Sequence, residues 1–153
     1  MIPLTHCKNK KIFVFGLGLS GDSAIRALEA GGAHVSAWDD NDRVRKNYFG
    51  QGKNIINPKE ISVEDLDVLF LSPGIDIRKS PQKKFIEEFR RKKKSIICDI
   101  QLFINEISHR KRNDKIIMIT GTNGKSTTSM MIYHILDKLG KKVQVGGNIG
   151  SRG

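Results

Sequence analysis

Residues 121 to 127 read GTNGKST, a set of two glycines, one lysine and three hydroxyl-bearing residues within seven positions. They follow an apolar run, KIIMIT (115–120), and precede a segment of helical periodicity. A strand, a glycine-rich turn and a helix in that order form a phosphate-binding loop, because small residues let backbone N–H groups converge on an anion at a helix N-terminus. In such a loop Gly121, Thr122, Asn123, Gly124, Lys125, Ser126 and Thr127 would bind ATP. Lys125 would place its ammonium on the β and γ phosphates, and the hydroxyl of Ser126 or Thr127 would ligate magnesium. The loop is shorter than the common GxxxxGK[ST] form, since the position five before Gly124 is Ile119.

A second glycine motif stands far upstream. FGLGLSG (15–21) supplies Gly16, Gly18 and Gly21 directly after the apolar run KIFVF. This is the fingerprint of a dinucleotide-type crevice: Gly16 for the tight turn, Gly18 for close approach to a phosphate, Gly21 for helix packing. Asp39 and Asp40 close the next apolar segment about twenty residues on, where a carboxylate can accept from a ribose or a base edge. SPG (72–74) ends a further apolar run, and Pro73 followed by Gly74 fits the centre of a type II turn. GGNIG (146–150) ends the last one, placing Asn148 within reach of a substrate.

The elements needed to position these residues are legible as alternating short apolar runs and helical patterns. Strands are expected at 11–15, 33–38, 67–72, 95–98, 115–120 and 141–145. Helices are expected over 20–31 with Ser20 as cap and Ile25 and Leu28 facing inward, over 81–93 opened by Pro81, over 99–108 with a stripe of Ile100, Phe103, Ile104 and Ile107, and from Lys125 to Leu139. Such alternation implies a parallel sheet with helices on its faces. Its carboxyl edge would gather the turns after residues 15, 38 and 71 into one crevice.

Composition narrows the class. Twenty-seven Lys and Arg against 16 Asp and Glu give a net charge of +11, which favours acidic ligands. The basic runs RRKKK and HRKR lack the interleaved aromatic residues that stack on bases, so no specific nucleic acid is expected. The two cysteines, Cys7 and Cys98, and four scattered histidines suggest neither a disulfide framework nor a zinc site. No apolar run approaches the ~20 residues of a membrane span. A cytoplasmic protein without membrane attachment is the expectation.

In their order and spacing GLGLSG, SPGI, DIQLF, GTNGKST and GGNIG resemble the N-terminal third of the Mur ligase family. The resemblance implies an α/β chain in two parts. Residues 1–97 would be a Rossmann-like parallel-sheet N-terminal domain that binds a UDP-sugar, and residues 98–153 the beginning of a P-loop ATP-binding α/β domain. Carried over by position, Leu19, Ser20, Asp39, Ser72, Pro73 and Gly74 would surround the uridine and diphosphate, with Gly18 and Asp40 beside them, and Asn148 would meet the muramoyl portion. The implied substrates are UDP-N-acetylmuramoyl-L-alanine and D-glutamate, with ATP and magnesium. ATP phosphorylates the substrate carboxylate and the amine then attacks the acyl phosphate. For the full-length enzyme the resemblance implies a monomer.

Two positions depart from the family. Its Thr-Arg pair is Asp40-Asn41 here, with Arg43 as a substitute, and its usual glutamate in DIELF is Gln101. The chain ends three residues after Gly150, so the expectation is a truncated ligase without full activity by itself. Three other readings compete: an NAD-binding oxidoreductase module, which leaves Lys125 unexplained; a nucleic-acid-binding module, resting on charge alone; and a P-loop switch that binds ATP without ligation.

Overall fold

The computed structural model describes residues 2–110 and 114–147. The chain forms two compact units, Met1–Arg112 and Asn113–Gly153.

The first unit is built on β1 (Lys11–Phe15), β2 (His34–Trp38), β3 (Val68–Leu71) and β4 (Ser95–Ile97). All three pairings are parallel, in the order β2-β1-β3-β4. Along β1 the side chains alternate between faces. Ile12 and Val14 join Ile25, Leu28, Phe70 and Leu102 in one apolar layer. Phe13 and Phe15 join Leu69, Phe85, Ile86 and Phe89 in the other. Helix α1 (Leu19–Ala30) and helix α4 (Asp99–His109) supply the first layer, and helix α3 (Lys83–Arg91) the second. The near-continuous apolar character of β1 follows from burial on both faces. The expected α/β parallel sheet is therefore present.

Several local expectations are corrected. Helix α1 begins at Leu19 with Gly18 at its cap position and no capping side chain, so Ser20 lies inside the helix. A helix not expected from the sequence, α2 (Asp42–Phe49), follows β2, started by Asn41, whose side chain accepts the Arg43 N–H. The turn at SPG has the Ile75 N–H donating to the Ser72 carbonyl at 3.1 Å, but Gly74 does not take a positive φ, so it is not type II. In α4 the buried residues are Leu102 and Glu106, while Ile100 and Phe103 are exposed. The apolar stripe lost to a polar anchor, Glu106, which turns the helix so that its own face points inward. This helix packs within the first unit, although the sequence places the boundary near residue 97.

Part of the basic run is structural. Lys94 donates its ammonium to the carbonyls of Val63, Glu64 and Leu66, closing the single helical turn Val63–Asp65, and Lys92 pairs with Glu64.

In the second unit α5 (Lys125–Lys138) forms as expected. Residues 115–120 and 141–145 do not form strands. Apolar β-prone residues become a strand only when a neighbour receives their backbone hydrogen bonds, and among the described residues of this unit no segment does so. Ile117 and Met118 are accordingly exposed.

Candidate functional site

The sheet order places the first site. The chain moves from β1 outward to β2, then crosses back to β3 on the other side of β1, so the direction of winding reverses between β1 and β3. Open parallel sheets bind ligands at the carboxyl ends of such strands. Gly16 ends β1 there with φ +95°. A Cβ on it would lie 2.7 Å from the Ser72 Cβ at the end of β3, so the glycine turn and the SPG turn touch. A Cβ on Gly21 would lie 1.9 Å from the Gly16 carbonyl oxygen, so the first turn of α1 rests on the loop backbone. Both glycines are required by close approach, as their spacing predicts.

The expected substrate residues lie along this edge. Gly18 and Leu19 are exposed, Leu19 at 86%. No side chain caps α1, which leaves its first-turn N–H groups and positive dipole end for solvent or an anion. Asp22 sits in that turn but pairs with Arg26 at 2.8 Å and takes a hydrogen bond from Tyr48. Burial foremost, then that bond, pushes the Tyr48 hydroxyl pKa up. Ser20 donates to Asp99 at 3.2 Å. Ser72 is buried, with Pro73 and Gly74 exposed beside it.

The acidic pair is already engaged. Asp39 accepts the Leu17 N–H at 2.7 Å and the Asn41 N–H at 2.8 Å, tying the glycine turn to the loop after β2. Asp40 accepts the Trp38 indole N–H at 3.3 Å and the Ser80 hydroxyl at 2.8 Å. Arg43, expected as a substitute cation, is exposed on α2. Arg45 instead reaches back to the Asp39 carbonyl at 2.6 Å, with its guanidinium 4.2 Å above the Trp38 ring. Trp38, Arg45, Lys46, Phe49 and Ile55 line a shallow depression of about 270 Å³. Sequence reasoning missed Arg45, Ser80 and Asp99. Asn41 followed by Asp42 was a readable helix start, but pairings forty and seventy-nine residues apart leave no local signal.

The second site is the loop before α5. Gly121 has φ +146° and Gly124 φ +75°, conformations that let successive N–H groups turn toward one point. Gly124 occupies the cap position of α5, which has no capping side chain. Lys125 folds its ammonium back onto the carbonyls of Gly121 and Thr122, where it neutralises oxygens that a phosphate would displace. Thr122, Asn123, Ser126 and Thr127 are exposed. The donor set therefore fits a triphosphate. Among the described residues no three His, Cys, Asp or Glu side chains are grouped to hold a metal, so a magnesium ion here would take a hydroxyl of Ser126 or Thr127 together with phosphate oxygens and waters. Asn148 lies outside the described residues.

A third titratable cluster is structural. Glu106, 1% exposed, accepts from Thr5 Oγ1, His6 N, His6 Nδ1 and Arg110 Nε. Burial pushes its pKa up, but these four donors outweigh burial and hold the carboxyl well below the usual range. His6 Nε2 lies 3.2 Å from Cys7 Sγ, giving the atom order of a thiol, imidazole and carboxylate triad. Cys7 is 1% exposed, and burial, chiefly, pushes its thiol pKa up, so no substrate reaches it and no thiolate forms readily. The cluster fastens the N-terminus to α4.

Among the described residues no helix is long and apolar enough to cross a membrane. Residues 119–152 match the Mur ligase middle domain. The chain is 44% identical over 97% of its length to UDP-N-acetylmuramoylalanine--D-glutamate ligase of Wolbachia pipientis wMel, covering 28% of that protein. It is 38% identical over 99% of its length to the same-named ligase of Brucella abortus (strain 2308), covering 32%. Shikimate dehydrogenase from Aquifex aeolicus aligns at 17% identity and a TM-score of 0.47, over 69% of this chain and 48% of that one. The chain is thus similar to Mur ligases over nearly all of its 153 residues and spans about a third of the length of the ligases it matches.

Proposed function

We propose that this chain supplies the UDP-sugar site and the phosphate loop of an ATP-dependent amide-forming ligase that adds D-glutamate to UDP-N-acetylmuramoyl-L-alanine in peptidoglycan synthesis. The observation that carries the reading is the presence, on one Mur ligase relative, of a glycine turn at the winding reversal of a parallel sheet and of a separate GTNGKST loop opening a helix. A dehydrogenase needs only the first. The complete reaction belongs to full-length ligases, about a third of whose length this chain spans.

In this reading Gly18, Leu19, Ser20, Ser72, Pro73 and Gly74 line the uridine and diphosphate, and Asn148 meets the muramoyl group. Asp39 holds the glycine turn in shape through its two backbone hydrogen bonds and keeps unused lone pairs toward the nucleoside. Gly121 to Thr127 cradle the triphosphate of ATP, and Ser126 and Thr127 offer hydroxyls to magnesium. ATP would transfer its γ-phosphoryl group to the sugar-linked carboxylate, leaving ADP and an acyl phosphate, which the amine of D-glutamate attacks with loss of phosphate and a proton. Lys125 moves its ammonium from the two loop carbonyls to the γ-phosphate, where it offsets the charge spread over the transferring oxygens. A cytoplasmic monomer completes the proposal.

Replacing Lys125 with alanine tests it. A fluorescent ATP analogue should bind the wild-type chain and lose about tenfold or more in affinity with Lys125→Ala, while affinity for UDP-N-acetylmuramoyl-L-alanine stays unchanged. Equal loss of both ligands, or of neither, would contradict the division of labour.

A further inference from the structure

We infer that Asp40 and Ser80 form a strap that fixes the spacing of the crevice walls on either side of the glycine turn, making Asp40 a positioning residue and not a ligand contact. The inference rests on the proposed UDP-sugar site for its ligand. Its geometry stands on the sheet order. Strands β2 and β3 are the two neighbours of β1. Asp40 belongs to the loop after β2, and Ser80 to the segment after β3, so their 2.8 Å hydrogen bond joins the two loops that flank the turn carrying Gly16 and Gly18.

Each partner is held from its own side. Asp40 also accepts the Trp38 indole N–H through its other oxygen. Ser80, only 8% exposed, accepts the Gln82 N–H at 3.1 Å while donating to Asp40. Its own N–H donates to the Asp76 carbonyl, and its carbonyl accepts the Lys83 N–H. The strap therefore reaches from β2 to the start of α3. With Asp39 fastened to the Leu17 N–H, three consecutive loops of the sheet edge are joined without a ligand.

The chemistry of the carboxylate argues the same way. A free carboxylate beside a diphosphate repels it, whereas one accepting a hydroxyl and an indole N–H is held in place with part of its charge compensated. A rim already joined avoids the ordering cost that separate loops incur on binding.

The test combines calorimetric titration with UDP-N-acetylmuramoyl-L-alanine and amide hydrogen exchange on the ligand-free chain. Ser80→Ala should weaken the UDP-sugar about fivefold and should speed exchange at residues 39–41 and 76–83 together. Ser80→Thr, which keeps the hydroxyl, should restore both. Asp40→Asn should cost about as much as Ser80→Ala, because its amide oxygen still accepts from Ser80 while its NH2 cannot accept the Trp38 indole N–H. Wild-type affinity and exchange in Ser80→Ala would overturn the inference, and so would a loss in Asp40→Asn far exceeding that in Ser80→Ala. A wild-type chain that binds no UDP-sugar would sink the proposed function instead, and the exchange comparison would still decide whether the strap exists.

Discussion

Replacing Gly21 with alanine sets helix propensity against packing, and the two predict opposite signs. Alanine is favoured over glycine in a helix by about 1 kcal/mol, so propensity alone makes Gly21→Ala stabilising. The added Cβ would stand 1.9 Å from the Gly16 carbonyl oxygen and 2.9 Å from its carbon. Restoring ordinary contact at 3.4 Å requires the helix and the loop to separate by about 1.5 Å. Gly16 has little room to retreat, because Ser72 and Ile75 already fill the space where its Cβ would stand. Helix α1 must move instead, drawing Ile25 and Leu28 out of a layer in which both are almost fully buried. Overpacking of this kind costs typically 1–3 kcal/mol, occasionally more, and a displacement this large belongs at the upper end. The expected net loss is about 2 kcal/mol, roughly a thirtyfold fall in the folding constant. Urea unfolding followed by the emission of Trp38, the only tryptophan, should show the midpoint falling by about 1 M. Gly74→Ala is the control, since nothing lies within 4 Å of its Cβ and its φ is not positive; it should stay within about 0.5 kcal/mol of wild type. A Gly21→Ala chain as stable as wild type, or more so, would refute the packing argument.

Three further outcomes concern the Glu106, His6 and Cys7 cluster. Glu106→Gln leaves His6, Thr5 and Arg110 around an uncharged amide and should destabilise the first unit by about 2–4 kcal/mol in the same unfolding assay. Because the folded-state pKa of Glu106 is depressed, its contribution is complete above the unfolded value of about 4.3 and is lost as pH falls below it. Acid unfolding of wild type should therefore be steeper below pH ~4 than that of Glu106→Gln, and parallel curves would contradict the assignment. Thiol titration should label exposed Cys98 quickly, and Cys7 only at the rate of unfolding; two fast thiols would show that the Cys7 environment is open.

What the sequence disclosed depended on how local the cause was. The strand at 11–15, the turn at Gly16 and the helix behind Gly21 were readable because each is set by neighbours a few residues away. Helix α2 was not read, since DRVRKNYF is polar almost throughout and buries only Tyr48, yet Asn41 marked its start. The apolar stripe of 99–108 misled because Glu106, whose partners lie about a hundred residues earlier, decides which face turns inward. The expected strands at 115–120 and 141–145 had strand composition but no pairing neighbour among the described residues. The glycine turns that open α1 and α5 were legible, whereas the links from Asp40 to Ser80 and from Ser20 to Asp99 join distant loops and became visible only in three dimensions.

The ligand of the first crevice decides the account, and Trp38 reports on it, because its indole is bonded to Asp40 at the end of β2. The chain should be titrated in parallel with UDP-N-acetylmuramoyl-L-alanine and with NAD while tryptophan emission is followed. A UDP-sugar site at this crevice gives a saturable change with the UDP-sugar and none with NAD. A saturable response to NAD alone would contradict it.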